Sequence, residues 1–204
     1  MKMPVDNWLP QSVRAAAVKR TLKAGEALFH LGNSSEGFYR VVSGRIRLSR
    51  VDRSGHEIVL YVAGAGDTLA EASLYSPAYH CDAIAGTDAQ VLLYPKRAVL
   101  AVFAKDDKAA QGFAAMLARQ VMDLRTRIEQ RNIRSARERV RHFLALSAGA
   151  DGRTVELRGT IKDLAGELGL THEALYRTLA ALARSGEIRR DNGRITLLRR
   201  RKSV

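Results

Sequence analysis

Apolar positions change their spacing three times along this chain, and each change marks a different architecture. Between residues 22 and 94 they fall in short runs broken by glycine-containing turns. Arg45-Ile46-Arg47-Leu48-Ser49 alternates residue by residue, as a half-buried strand does. Residues 27–30, 38–42, 58–62, 81–85 and 89–94 have the same texture, with turns at Ala24-Gly25, Ser43-Gly44, Asp52-Arg53-Ser54-Gly55 and Gly64 to Gly66. Turn signals every ~10 residues predict a sandwich or barrel rather than alternating strands and helices. A short helix over residues 7–18 is expected to lead into it.

After Pro95 the period becomes helical. A short helix is expected over residues 96–103, then a long one over residues 105–132. Ala110, Ala114, Leu117, Val121, Leu124 and Ile128 recur at alternating spacings of four and three, which is a heptad seam. Arg119, Asp123, Arg125, Arg127 and Glu129 flank it. A stripe this narrow between charged flanks predicts pairing with a second copy, through Leu117, Val121, Leu124 and Ile128. The alternative is a helix packed on its own domain. Around residues 132–135 the rhythm slips, which predicts a hinge. Val140, Phe143 and Leu144 then open a new apolar face.

The last change comes at residues 160–182. Ile161, Leu164, Ala165 and Leu168 mark one helical face, and Gly169 follows where a left-handed backbone costs least. Thr171 is placed to cap a second helix that buries Ala174, Leu175, Thr178, Leu179 and Leu182. Its other face carries His172, Glu173, Tyr176 and Arg177, polar groups of graded length near a helix N-terminus. That is what a helix needs in order to reach base edges in a DNA groove. Next, Glu187-Ile188-Arg189-Arg190 and Arg194-Ile195-Thr196-Leu197 flank Asp191-Asn192-Gly193, and Asn-Gly between strand-like runs signals a hairpin. Two helices followed by a basic hairpin describe a winged helix-turn-helix. The expected roles are base reading by His172, Glu173 and Arg177, with backbone contacts from Thr171, Tyr176, Arg189, Arg190 and Arg194.

Charge supports that placement. The 204 residues carry 34 Lys and Arg against 21 Asp and Glu, a net of +13. From residue 131 onward there are 17 basic and 8 acidic residues, so most of the excess lies with the helix-turn-helix, as neutralising phosphates requires. No apolar run approaches the ~20 residues of a membrane span, and residues 1–10 lack a signal-peptide core, so a cytoplasmic protein without a membrane partner is expected. Cys81 is the only cysteine, which excludes an intrachain disulfide and any all-cysteine metal or iron–sulfur site within one chain.

The order of β-roll, heptad helix, hinge and winged helix-turn-helix resembles the CRP/FNR family of bacterial transcription regulators over nearly the whole chain. The phrases that carry the resemblance are Leu22-Lys23-Ala24-Gly25-Glu26-Ala27-Leu28-Phe29, Gly37-Phe38-Tyr39-Arg40-Val41-Val42-Ser43-Gly44-Arg45-Ile46-Arg47-Leu48, Gly66-Asp67, and L-A-G-E-L-G-L-T-H-E-A-L-Y-R-T-L from residue 164, followed by Gly186 and the wing. It implies an α+β protein. Residues 1–104 would form a jelly-roll sensor domain like those that bind cyclic nucleotides, 105–134 the dimerisation helix and hinge, and 135–204 the DNA-binding domain. It implies a homodimer on a palindromic site in double-stranded DNA, with RNA polymerase as a further partner, and no enzymatic activity. The family presents a Glu and, four residues later, an Arg to the major groove, and Glu173 and Arg177 match them. Arg pairs with guanine O6/N7 and Glu accepts from cytosine N4. At i, i+4 Glu173 is also placed to hold Arg177.

The departures concern the effector. Glu71 stands where the family's ribose-binding Glu would be, but the phosphate-binding Arg-Ser region reads Ala78-Tyr79-His80-Cys81-Asp82, and no Arg lies between residues 69 and 95. A buried cyclic phosphate without a guanidinium is costly. The Thr-Ser pair that meets the purine corresponds to about Leu124-Arg125. Cyclic AMP is therefore not the expected effector. An iron–sulfur cluster is not expected either, and haem or a metal at His30, His56 or His80 is left open. Glu71, Tyr79, His80 and Cys81 are the candidate effector residues. Two other classes compete: a cyclic-nucleotide-responsive module acting on a protein partner, and a cupin-like metalloenzyme, against which no ligand-spaced histidine cluster appears.

Overall fold

The computed structural model describes residues 8–157, 159–191 and 193–198. The chain divides into two compact units, Met1–Met122 and Asp123–Val204.

In the first unit, α1 (Gln11–Ala15) leads into β1 (Val18–Leu22), β2 (Ala27–Phe29), β3 (Gly37–Ser43), β4 (Arg45–Val51), β5 (Glu57–Gly64) and β6 (Thr68–Leu69). A 3-10 turn (Glu71–Tyr75), β7 (Asp82–Ala85), β8 (Ala89–Pro95) and α2 (Lys96–Phe103) complete it, before the long helix α3 (Asp107–Asn132). The strands make two antiparallel sheets, ordered β1-β8-β3-β6 and β2-β7-β4-β5. Alternation sends Tyr39, Val41, Val91 and Leu93 between the sheets, with Phe29, Ile46, Tyr79 and Ala83. Phe38 and Tyr94 point the other way and pack with Trp8, Leu9, Val13, Val99, Phe113 and Met116. One sheet is thus buried on both faces.

Three expectations change here. The first helix is shorter than expected: it starts only after Pro10, whose backbone is extended at ψ 152°, and Val18 already pairs with β8 as the first residue of β1. The long helix begins at Asp107, where the Asp106 carboxylate accepts from the Lys108 and Ala109 N–H groups. Its first half packs on its own unit through Ala109, Phe113 and Met116, a stripe beside the heptad positions. Leu117 is partly buried against that cluster, whereas Val121, Leu124 and Ile128 are 46%, 53% and 60% exposed.

The second unit contains α4 (Ala136–Ser147), β9 (Thr154–Glu156), α5 (Ile161–Leu168), α6 (His172–Arg184), β10 (Ile188–Asp191) and β11 (Arg194–Leu197). Helical structure breaks at residues 133–135, where the periodicity slips. The sheet order is β10-β11-β9. β9 was not anticipated; it covers the second edge of β11. The hairpin residue Asn192 lies outside the described residues.

Candidate nucleic-acid interface

The helix pair is built by its end groups. Thr160 and Asp163 form a capping box: the Thr160 hydroxyl accepts from the Asp163 N–H at 3.1 Å, and the Asp163 carboxylate accepts from the Thr160 N–H at 2.9 Å. Gly169 ends α5 at φ 62°, ψ 41°, a conformation any side chain would strain. The Thr171 hydroxyl then accepts from the Ala174 N–H at 3.1 Å and starts α6. Leu175, Leu179 and Leu182 are fully buried against Val140, Leu144, Leu164 and Leu168. Ala174 and Thr178 are only half-buried, beside a shallow groove lined also by Ala136, Arg137, Arg177 and Ala181.

With its buried stripe locked, α6 exposes His172, Glu173, Tyr176 and Arg177 on one side. Glu173 does not hold Arg177: among the described residues no ion pair joins them. The Glu173 carboxylate is instead held below its usual range by the N–H at the helix start, then by the Thr171 hydroxyl, with smaller help from His172 and Arg177. Its nearest donors lie at the helix terminus, where a carboxylate is favoured. Among the described residues Arg177 has no carboxylate within ion-pair distance.

Residues the sequence reading passed over hold this helix pair in place. Arg139 donates to the carbonyls of Leu168 at 2.8 Å and Gly169 at 3.1 Å, and to that of Ile133 at 2.7 Å. Arg131 donates to the Gly166 and Glu167 carbonyls at 3.2 and 3.3 Å. The open C-terminal carbonyls of α5 thus receive two guanidinium groups. Glu187, at the root of the wing, accepts from Arg137 at 2.6 Å, from Arg141 at 2.8 Å through both oxygens, and from Ser185 at 2.8 Å. The Arg141 guanidinium foremost, with Arg137 and Ser185, holds its carboxyl down at about 2. Apart from Ser185 to Glu187 and Arg139 to Ile133, these contacts join residues 29 to 50 positions apart, and no spacing rule exposes them.

The three wing arginines differ. Arg194 stands opposite Asp191 in the hairpin and pairs with Glu156 at 2.9 Å, so carboxylates already oppose its charge. Arg189 stands opposite Thr196 and meets no carboxylate among the described residues. Arg190 shares a strand face with Ile195 and lays its guanidinium over the Tyr176 ring at 5.5 Å.

The candidate effector residues face different surroundings. Glu71 is buried on the 3-10 turn, where its carboxylate accepts from the Thr68 hydroxyl and, at 2.6 Å, from the Gln120 amide of α3. Burial pushes its carboxyl up. Tyr79 lies between the sheets, stacked on Phe29 at 3.8 Å, with its hydroxyl 3.2 Å from that of Tyr39. His80 is exposed, and its carbonyl accepts from Arg50 at 2.6 Å. Cys81 is buried in the sandwich core, and that burial raises its thiol above the ordinary range. Among the described residues no three His, Cys, Asp or Glu side chains gather where they could hold a metal.

A jelly-roll sandwich joined to a winged helix-turn-helix, with the polar face of its second helix open, defines a DNA-binding regulator. Comparison with known proteins gives the family. Residues 19–106 match the cyclic nucleotide-binding domain and residues 138–202 the Crp-like helix-turn-helix domain. The chain is 28% identical over 179 residues to the cyclic AMP receptor protein of Thermus thermophilus, covering 87% of this chain and 82% of that protein. It is 27% identical to the transcriptional regulator SdrP of the same organism, over 87% and 88% of the two chains. Among solved structures, FixK2 from Bradyrhizobium japonicum superposes with a TM-score of 0.77 at 24% identity, over 91% of this chain and 94% of that one. A CRP/FNR-family transcriptional regulator from Thermus thermophilus superposes with a TM-score of 0.62 at 25% identity, over 89% and 94%. The chain is a DNA-binding transcription regulator of the CRP/FNR family.

Proposed function

We propose that this regulator works as a homodimer in the cytoplasm, reading a palindromic operator with α6 in the major groove of each half-site. The observation that carries the reading is the exposed face of α6, where Arg177 lies beside Glu173 and joins no ion pair among the described residues, on a helix whose opposite side buries Leu175, Leu179 and Leu182. Arg177 reads a guanine, Glu173 and His172 contribute to base preference, and Thr171 and Tyr176 lie against the flanking backbone. Arg189 and Arg190 are the wing residues placed for phosphates, since Arg194 is already opposed by carboxylates. Dimerisation through Val121, Leu124 and Ile128 would set the two helices about 34–36 Å apart, one turn of DNA. RNA polymerase is the partner through which such a dimer would act. Among the described residues no helix is long and apolar enough to cross a membrane.

We further propose that cyclic AMP is not the effector. The space between the sheets holds the Phe29, Tyr39 and Tyr79 rings, and Glu71 is satisfied by Thr68 and Gln120. Neither Tyr nor His can replace a permanently charged, forked guanidinium for a buried phosphate. One gel-shift series tests both statements, on a duplex that the purified protein selects from a random-sequence library. Wild-type protein is expected to shift it without ligand, and cyclic AMP to change the affinity by no more than about twofold, well below the fivefold at which effector coupling typically begins. Arg177→Ala is expected to cost about 1–3 kcal/mol on the selected duplex and little on random DNA. Equal losses on both duplexes would remove Arg177 from base reading, and a large gain with cyclic AMP would restore that nucleotide as effector.

A further inference from the structure

Arg190 stands apart from the other wing arginines in what it touches. It sits on β10 with its side chain on the same face as buried Ile188 and Ile195, turned toward α6 rather than outward. There it meets the Tyr176 ring with the guanidinium carbon 5.5 Å from the centroid. Tyr176 is one helical turn from His172, whose ring is 6.4 Å away and tilted by 31°. Tyr176 is 53% exposed, so core packing does not account for an aromatic residue at this position. Among the described residues no carboxylate pairs with Arg190. Its guanidinium carbon lies over the aromatic face, a contact that engages the charge with the ring and leaves N–H groups able to donate elsewhere.

We propose that Tyr176 is a positioning residue for Arg190. The stack fixes the wing against the recognition helix and aims the guanidinium edge at a phosphate flanking the half-site. Tyr176 then controls an electrostatic contact without carrying charge. This rests on the reading of α6 and the wing as the DNA interface, and it changes the role given there to Tyr176 from backbone contact to platform. A hydroxyl on phosphate and a ring under Arg190 make opposite demands on substitution, because Phe keeps only the ring.

The test measures the affinity of the full chain for the self-selected duplex and for a random duplex, at a series of salt concentrations, for Tyr176→Phe, Tyr176→Ala, Arg190→Ala, the Tyr176→Ala/Arg190→Ala double variant and Arg177→Ala. Each neutralised phosphate contributes close to one unit to the slope of log affinity against log salt. Arg190→Ala is expected to flatten the slope by about one unit. Tyr176→Ala, which alters no charge, is expected to flatten it by the same amount and to weaken binding about fivefold, the size of an exposed cation–π contact. Tyr176→Phe is expected to match wild type, and the double variant to lose no more than Arg190→Ala alone. A wild-type slope in Tyr176→Ala, or a Tyr176→Phe as weak as Tyr176→Ala, overturns the proposal. Arg177→Ala reports separately on the interface itself: if it loses equally on both duplexes the base-reading assignment fails, whatever the Tyr176 variants do.

Discussion

Gly112 shows how a single position can oppose its own secondary-structure preference. It lies within α3, where glycine costs about 1 kcal/mol relative to alanine. A Cβ added there would stand 2.3 Å from the Cβ of Trp8 and 2.9 Å from its Cγ. The Cβ of Trp8 is placed by the backbone, and its ring is packed among Phe38, Phe103 and Phe113, so rotation of Trp8 does not relieve the clash. Overpacking of this kind costs about 1–3 kcal/mol, enough to outweigh the gain in helix propensity. Gly112→Ala is expected to lower Tm in thermal unfolding followed by circular dichroism, and a rise in Tm would show that residues 8–9 move aside. Gly112 was invisible in the heptad pattern, which counts only apolar side chains.

At the scale of elements, Glu187 joins α4 to the wing. Its carboxyl is held at about 2 by Arg141, Arg137 and Ser185, below the ~4.3 of a free glutamate. A depressed carboxyl contributes stability that is fully present above the unfolded value and lost as pH falls through the folded one. The contribution from Glu187 is therefore complete above about pH 4.5 and fades toward pH 2. Glu187→Gln should remove that part of the acid limb. Urea midpoints measured at pH 7 and at pH 3 are expected to lie closer together in the variant than in the wild type. Equal pH dependence in both would mean that the pair contributes nothing to folding. The wing was legible as an Asn-Gly hairpin between strand-like runs, but its anchor was not. Arg137 and Arg141 lie 50 and 46 residues from Glu187, and nothing local relates them. The same holds for Arg139, which joins the break after α3 to the end of α5.

At the scale of the whole molecule, the long helix has two apolar stripes with different uses. Ala109, Phe113 and Met116 are covered by the helix's own unit, while Val121, Leu124 and Ile128 lie open along one line. Large apolar side chains repeating at heptad spacing and uncovered in one chain are what a second copy would bury. Leu124→Lys together with Ile128→Lys is expected to give monomers in sedimentation velocity and to abolish binding to a palindromic duplex. A double variant that sediments as a dimer with unchanged affinity would place the interface elsewhere. The pair is preferred to Leu117 because Leu117 is partly buried within its own unit, where Lys would damage folding as well.

What the sequence determined by itself were the features with a local cause. Strand alternation, helical period, the Thr171 cap, the Gly169 stop and the hairpin each depend on residues a few positions apart, and all are in the pattern. The family resemblance follows from their order. Tertiary structure decided what depends on residues distant in sequence. Residues 18–22 became a strand because β8 supplied their hydrogen bonds, and half of the expected seam turned out to stand beside a stripe buried at home. Glu71, Tyr79, His80 and Cys81, near one another in sequence, separated into a polar contact with α3, an aromatic stack, an exposed ring and a core thiol. In an extended segment successive side chains point to opposite faces, and only the packing of each face tells which is buried and which partner it meets.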